Sequence, residues 1–293
     1  MGLAMRRSAL VPEEHWRGIE LLGYWLLFPA LVLESLISMD LSRLNINALV
    51  LAYAGALLLY LLIVWSWRRP LARFGISDRS FSSVFQTATR WNGFVALAMA
   101  GKFAGDQGMA MVALIMAVTV PLLNVVNVVV LTVCASDTPA TPGRTLINTV
   151  KVPLIWAALL GLLINLAQVP VYPPLLTSLD MIGRAGLGIG LLTVGAGLRV
   201  QAMRSAGPDV LAGIAGKLLL FPLLVFVSCR LAGVQGEAFQ VAMLCAAVPT
   251  AMNGYVLARQ MGGDVALYAA TASLQVVVSL LTLPLILWLS VSV

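Results

Sequence analysis

The chain has 293 residues, of which 60% are hydrophobic and only 10% are charged, and its mean hydropathy is positive. Soluble globular domains carry about 25% charged residues, so this composition excludes an ordinary soluble protein and indicates a membrane protein. The net charge of +6 is therefore expected to reflect basic loops beside the membrane rather than a nucleic-acid-binding surface.

Nine apolar stretches are predicted to be membrane-spanning helices, since about 20 apolar residues cross a bilayer. Taken in chain order, they lie at about 18–38, 46–66, 83–104, 108–134, 148–167, 176–198, 208–231, 238–260 and 265–290. Two tracts are free of charge, one between Asp106 and Asp137 and one after Asp264. The predicted fold class is an all-α polytopic membrane protein, with residues 1–293 forming a single membrane transporter domain.

Basic residues are distributed unevenly between the two sides of the predicted membrane. The side reached after an even number of spans carries Arg6, Arg7, Arg17, Arg68, Arg69, Arg73, Arg79, Arg90, Arg144, Lys151, Arg199, Arg204 and Arg259. The other side carries only Arg43, Lys102 and Arg230. Because Lys and Arg favour cytoplasmic loops, the bias predicts a cytoplasmic N-terminus and a C-terminus outside the bacterial inner membrane.

Two short stretches in the third and eighth predicted spans resemble each other. Residues 91–98 read WNGFVALA and residues 252–258 read MNGYVLA. The eighth span comes five spans after the third, and because five is odd the two copies run in opposite directions, which is typical of the inverted repeats of secondary transporters. The predicted repeats are 1–134, with four spans, and 148–293, with five, on either side of a linker at 135–143.

The Asn-Gly pairs of these two stretches are the predicted substrate-binding site. An unpaired backbone group in hydrocarbon costs several kcal/mol, so a helix interrupted at Asn92-Gly93 or Asn253-Gly254 must line a protected polar cavity. Pro249 lacks an amide hydrogen and is expected to break the second helix, and half-helix N-termini favour an anion. The alternative is that each asparagine only joins helices through a hydrogen bond.

Two further polar residues are weaker candidates for the same site. Lys217 lies about 12 Å into its predicted span at 1.5 Å per residue, which suggests a role in substrate binding or gating. Its side chain could instead extend back to the cytoplasmic face. Asn124, like Asn127, follows Pro121 and could line the cavity or join helices.

The remaining charged residues inside or beside the predicted spans are expected to form ion pairs or helix caps. Asp180 and Arg184 are four residues apart on one predicted helix, so a local ion pair is expected. Asp106 and Asp264 each precede a span and are predicted to cap the N-termini of the following helices.

The sequence contains no arrangement that predicts an enzyme, a metal site or a cofactor. The single histidine, His15, precedes the first span, and no nucleophile–base pair or phosphate-binding loop is evident. The three cysteines have no paired spacing; they are Cys134, Cys229 and Cys245.

Four segments resemble those of the auxin efflux carrier family, whose members include bacterial relatives of the plant PIN carriers. They are YWLLFPAL at 24–31, RWNG at 90–93, PLLN at 121–124 and AVPTAMNGYVLA at 247–258. The resemblance covers essentially the whole chain. It implies ten spans in two inverted five-helix repeats, similar to bile-acid/sodium symporters, with crossed broken helices that bind an organic anion at the positions of Asn92 and Asn253.

The resemblance also implies a scaffold part and a transport part. The scaffold would comprise helices at about 18–38 and 148–199, and the transport part those at about 46–134 and 208–290. The first break departs from the family because Phe94 and its successors supply no proline, and the first family helix is missing. We expect a chain extended upstream by about 20 apolar residues, enough for one span, to be more stable and more active.

Together these observations predict a secondary transporter, an efflux carrier of small organic carboxylates that works by alternating access. The expected partners are a small organic anion and the lipid bilayer, not a nucleic acid, with homodimerisation left open. One alternative is a cation–proton antiporter of similar fold, although that chemistry requires acidic residues where this chain has amides. Another is a non-transporting or inactive membrane partner protein.

Overall fold

The computed structural model describes residues 1–8, 11–39, 46–135, 153–205, 207–252 and 254–291, and every regular element among them is helical. The first eight helices are α1 (Gly2–Arg7), α2 (Glu13–Leu22), α3 (Phe28–Ile37), α4 (Ile46–Ser66), α5 (Arg68–Arg73), α6 (Asp78–Thr89), α7 (Gly93–Phe103) and α8 (Gly105–Cys134). They are followed by α9 (Pro153–Leu166), α10 (Pro173–Ala196), α11 (Pro208–Ala215), α12 (Phe221–Leu231), α13 (Gly236–Ala247), α14 (Gly254–Gln260) and α15 (Val265–Val291).

Six helical stretches in the described ranges are long and apolar enough to cross a membrane. They are Glu14–Ile37, Ala48–Arg73, Gly105–Cys134, Pro173–Ala196, Pro208–Leu231 and Val265–Ser290. The all-α polytopic class is thereby confirmed. The predicted third and eighth spans are each divided into two shorter helices, and the predicted fifth span contains the shorter α9. The count of nine spans and the inverted repeat stay predictions.

The chain divides into two compact units, and each is described here by itself. The first contains the described residues of Met1–Ile46, Gly93–Val120 and Val150–Leu198, and the second those of Asn47–Asn92, Pro121–Thr149 and Arg199–Val293. The predicted linker at 135–143 lies, beyond Ala135, outside the described residues. The assignment of scaffold and transport helices also stays a prediction.

Close helix packing and one buried amide hold the first unit together. A Cβ added at Gly183 would lie 2.6 Å from Leu31 Cα, and one at Gly161 would lie 2.9 Å from the Leu33 carbonyl oxygen. Glycine at these positions lets α9 and α10 approach α3 closely. Asn165 Nδ2 donates to the carbonyl oxygens of Leu36, Ile37 and Met39. It thereby satisfies carbonyls that the end of α3 leaves without a helical partner.

Each unit contains one π-helical turn directly before a Phe-Pro pair. The turns span Gly23–Leu27 and Gly216–Leu220, and the prolines that follow are Pro29 and Pro222. A proline inside a helix removes a donor, and its ring collides with the carbonyl four residues earlier. Widening the preceding turn to the π pattern relieves that collision.

In the second unit, aromatic side chains fix α6, the helix that leads into the first break. The Phe221 ring stacks on Tyr60 with centroids 4.8 Å apart and meets Tyr53 edge-on at 5.6 Å. The Tyr60 hydroxyl donates to the Ala88 carbonyl oxygen at 3.1 Å. These contacts link α4, α6 and α12, so the end of α6 is held rigidly before the chain leaves the helix.

Candidate functional site

Helical structure is interrupted at Asn92 and again in the described residues just before and after position 253. After α6 ends at Thr89, Arg90 is extended (φ −68°, ψ 154°), and α7 begins at Gly93. After α13 ends, Val248 is extended (φ −64°, ψ 147°), and α14 begins at Gly254. Arg90 therefore lies in the interruption between α6 and α7. The side of the membrane to which the charge count assigns it stays a prediction.

A backbone hydrogen bond joins the two extended segments. The Asn92 amide N–H donates to the Pro249 carbonyl oxygen at 2.9 Å. Asn92 is only 2% exposed and Pro249 is buried. The structure thus brings together two of the predicted site residues, which are distant in the sequence. Asn253 lies outside the described residues, so its predicted role stays a prediction.

Gln275, in α15, satisfies backbone groups that both breaks leave without helical partners. Its Oε1 accepts from the Thr250 amide N–H at 2.8 Å. Its Nε2 donates to the carbonyl oxygens of Thr87 at 3.0 Å and Gly213 at 2.9 Å. Thr87 lies in the last turn of α6, where the break removes the usual donor four residues later. Sequence reasoning missed Gln275; the only signal was a single side-chain amide in an otherwise apolar helix.

Lys217 lies in the π-helical turn Gly216–Leu220, and its side chain contacts the C-terminal end of α13. Its side chain is fully buried, its Nζ donates to the Ala246 carbonyl oxygen at 2.7 Å, and the Phe221 ring centroid is 4.7 Å away. The carbonyl end of a helix favours a cation, so Lys217 stabilises the half-helix that ends at the second break. The predicted role in substrate binding or gating stays a prediction.

The two glycines of the Asn-Gly pairs are packed differently. A Cβ at Gly254 would overlap the Tyr268 hydroxyl, whose oxygen donates to the Ala251 carbonyl oxygen at 2.6 Å. A Cβ at Gly93 would come within 2.5 Å of Met116 Cε, the end of a flexible side chain. Only Gly254 is therefore required by a contact that cannot move without breaking a hydrogen bond.

We expect Gly254→Ala to destabilise the protein more than Gly93→Ala. Overpacking a core typically costs about 1–3 kcal/mol, and displacing Tyr268 from Ala251 adds about 1 kcal/mol for the lost hydrogen bond. At Gly93, the Met116 side chain can adopt another rotamer. Thermal unfolding of both purified variants in detergent checks this, and equal shifts in melting temperature would contradict it.

The two asparagines after Pro121 differ in their surroundings. Asn127 is buried, its Oδ1 accepts from the Thr89 hydroxyl at 3.3 Å, and its Nδ2 donates to the Leu123 carbonyl oxygen at 2.7 Å. It therefore joins α8 to the last residue of α6, as the helix-joining interpretation predicts. Asn124 lies in the same helix and is half-buried. Its place in the site stays a prediction.

The predictions for the acidic residues are confirmed in part. Asp264 Oδ1 accepts from the Leu267 amide N–H at 3.0 Å, which confirms the predicted N-cap of α15. Arg184 Nε donates to Asp180 Oδ1 at 2.5 Å, which confirms the local ion pair. Asp106, however, is the second residue of α8, and its Oδ1 accepts from Arg184 at 2.7 Å. The predicted cap was wrong because a partner distant in the sequence takes this carboxylate.

Within the described part of the chain, no group of three or more His, Cys, Asp or Glu side chains is placed to hold a metal ion. The three cysteines are buried and unpaired with one another. The polar groups that the structure gathers at the breaks are thus amides, hydroxyls, backbone groups and the guanidinium of Arg90. Amide N–H groups and a guanidinium can donate hydrogen bonds to an anion, while carbonyl and hydroxyl oxygens can also coordinate a cation.

Comparison with known proteins identifies sequence similarity across the region of the second break. The family described as membrane transport protein matches residues 138–287. A protein of Methanothermobacter thermautotrophicus, named as an uncharacterized transporter, is 24% identical over 260 residues, which cover 88% of this chain and 83% of that protein. The family match includes Pro249 and Gln275.

Proposed function

We propose, from the premise that the chain belongs to the auxin efflux carrier family of membrane transport proteins, that it carries small organic carboxylate anions. The protein is a multi-pass membrane transporter. We propose more specifically that it is a secondary efflux carrier of the bacterial inner membrane and that it works by alternating access. Its substrate site consists of Asn92, Gly93, Pro249, Asn253 and Gly254, with weaker contributions from Asn124 and Lys217.

The observation that carries this proposal is the hydrogen bond between the Asn92 amide and the Pro249 carbonyl oxygen. Two extended backbone segments that meet inside an apolar helical protein are tolerated only where protein or a polar cavity satisfies their groups. Gln275 and Lys217 satisfy backbone groups beside the breaks. The meeting point is thus held in position, as a substrate site requires.

The charges near the breaks favour an anion over a cation. Residues 87–92 and 248–254 contain no acidic side chain, whereas Arg90 lies next to Asn92. A cation–proton antiporter requires a carboxylate that binds the cation and exchanges protons. Amide N–H groups and a guanidinium instead donate hydrogen bonds to a carboxylate. The antiporter alternative therefore lacks its essential group at this position.

In the proposed mechanism, a transport part moves against a scaffold part and exposes the same site alternately to the two sides of the membrane. The inverted repeat predicted from the sequence supports this mechanism, because two oppositely oriented copies of one element can exchange conformations to give inward-open and outward-open states. The nine-span arrangement, with four spans in the first repeat and five in the second, belongs to this proposal.

The experiment that tests the function is counterflow in proteoliposomes. We expect vesicles preloaded with unlabelled carboxylate to accumulate the same labelled carboxylate, and control vesicles without protein to accumulate none. A panel of short mono- and dicarboxylates, with an amine of matched size, identifies the class. Accumulation of the amine alone, or of no carboxylate in the panel, would refute the proposal.

The proposed orientation, with the N-terminus in the cytoplasm and the C-terminus outside, has its own test. Because the predicted number of spans is odd, an alkaline phosphatase fused to the C-terminus should be active. A C-terminal fluorescent protein that matures only in the cytoplasm should be dark. The same fusions at the N-terminus provide the control. The opposite pattern would mean that the count of spans is even.

A further inference from the structure

One face of α6 carries buried polar atoms without partners. Ser83 and Gln86 are fully buried. Among the described residues, neither Ser83 Oγ nor either polar atom of the Gln86 amide has a hydrogen-bond partner. Buried polar side chains are nearly always hydrogen-bonded, and exceptions require an explanation. Three such atoms within one turn of a single helix mark a place that accommodates a polar molecule.

The other faces of α6 are occupied. Phe81 and Phe85 meet the Trp65 ring edge-on. Val84 packs in a cluster with residues of α11 and α15, and Thr89 contacts α8. The face of Ser83 and Gln86 is enclosed as well, but among the described residues nothing forms a hydrogen bond with its polar atoms.

That face is directed toward the second break. Arg79 and Arg90 share it, because they lie four residues from Ser83 and Gln86 respectively, at helical spacing. Arg79 Nε donates to the Gly263 carbonyl oxygen at 3.4 Å, and Arg90 lies within electrostatic range of the Tyr268 hydroxyl. The helix α15, which contains Tyr268, also packs against α14. Along α6, Ser83 and Gln86 thus lie between Arg79, which contacts the turn before α15, and Arg90, which lies near Tyr268 in α15.

We infer that Gln86 and Ser83 bind a hydroxyl group of the transported anion, so that the substrate class is a short hydroxy-carboxylate. This inference rests on the proposed function. An amide and a hydroxyl offer both donors and acceptors without charge, which matches a neutral hydroxyl group. They could not compensate for the removal of a second carboxylate from water.

The spacing sets the length of the substrate. Gln86 lies three residues before Thr89, where α6 ends, so it is about 4.5 Å along the helix axis from that end. A carboxylate beside Asn92 and a hydroxyl beside Gln86 would therefore be several ångströms apart. A four-carbon chain, which separates its two polar ends by roughly 5 Å, can connect them. Butyrate and 4-hydroxybutyrate form the matched pair of probes, because they differ only by that hydroxyl.

The test measures the affinity of the purified full chain for both probes by isothermal titration calorimetry in detergent. We expect wild-type protein to bind 4-hydroxybutyrate about tenfold more tightly than butyrate, the equivalent of one hydrogen bond to a buried partner. Gln86→Leu should reduce this ratio to about one, and Ser83→Ala should reduce it in part. The matched control is Ser82→Ala, because the Ser82 hydroxyl donates to the Arg79 carbonyl of its own helix at 2.6 Å; it should keep the wild-type ratio.

A second measurement separates binding from folding. Gln86→Leu removes atoms that have no partner among the described residues, so its melting temperature without probe should not fall below that of wild type. If wild-type protein binds the two probes equally, or if Gln86→Leu and Ser83→Ala both keep its ratio, the inference is overturned and these atoms bind only water. If wild-type protein binds carboxylates of the panel but neither probe, the inference alone fails. If it binds no carboxylate at all, the proposed function fails too.

Discussion

Asn92→Ala and Asn253→Ala are each expected to abolish carboxylate uptake and to leave the amount of protein in the membrane unchanged. A hydrogen bond to a charged group contributes about 1.5–3 kcal/mol, so each variant should bind the substrate roughly ten- to a hundredfold more weakly. The Asn92 backbone N–H that donates to Pro249 is retained in Asn92→Ala. The variant therefore tests the side chain and not the hydrogen bond that joins the two breaks.

Aspartate at the same positions provides the electrostatic comparison. Asn92→Asp and Asn253→Asp keep the size of the side chain but place a negative charge beside an anionic substrate. We expect at least as large a loss as with alanine. Gln201→Ala is the control, since Gln201 is exposed. Counterflow in proteoliposomes measures all five variants, and wild-type uptake by both alanine variants would remove these residues from the site.

Gln275→Leu is expected to destabilise the protein by about 3 kcal/mol or more. The substitution leaves the Thr250 amide and the carbonyls of Thr87 and Gly213 buried without their partner, and each unsatisfied buried group costs about 1–3 kcal/mol. Uptake should fall as well, because the two helix breaks lose the side chain that forms hydrogen bonds with the backbone beside both of them. Thermal unfolding in detergent, and uptake normalised to folded protein, measure the two effects separately.

The matched control for Gln275→Leu is Gln86→Leu. The chemical change is identical, and both side chains are fully buried. Gln275 has three hydrogen bonds, whereas the Gln86 amide has no partner within the described residues. Gln275→Glu completes the series: an ionised carboxylate can still accept from Thr250 but cannot donate to the two carbonyls. Equal melting temperatures for the two leucine variants would show that Gln275 does not hold the breaks.

Local patterns in the sequence were sufficient for the class of the protein and for the position of both interruptions. Long charge-free tracts indicate spans because charged groups are costly in hydrocarbon. The two Asn-Gly pairs, with Pro249, lie where α6 and α13 give way to extended chain. Likewise, the cap at Asp264 depends only on residues within one turn. Such features follow from the sequence since their causes lie within a few neighbouring residues.

Contacts between distant residues were decided only by the tertiary structure. Asp106 looked like a helix cap, yet it pairs with Arg184. The contact between Lys217 Nζ and the Ala246 carbonyl oxygen could not be read from the sequence either. Gln86 and Gln275 are both amides in buried helices, and no local pattern tells them apart. Packing gives Gln275 three backbone partners and leaves Gln86 with none among the described residues. The same side chain can therefore support the fold in one helix and, as we propose, bind a substrate in another, because packed neighbours determine whether its hydrogen bonds are already made.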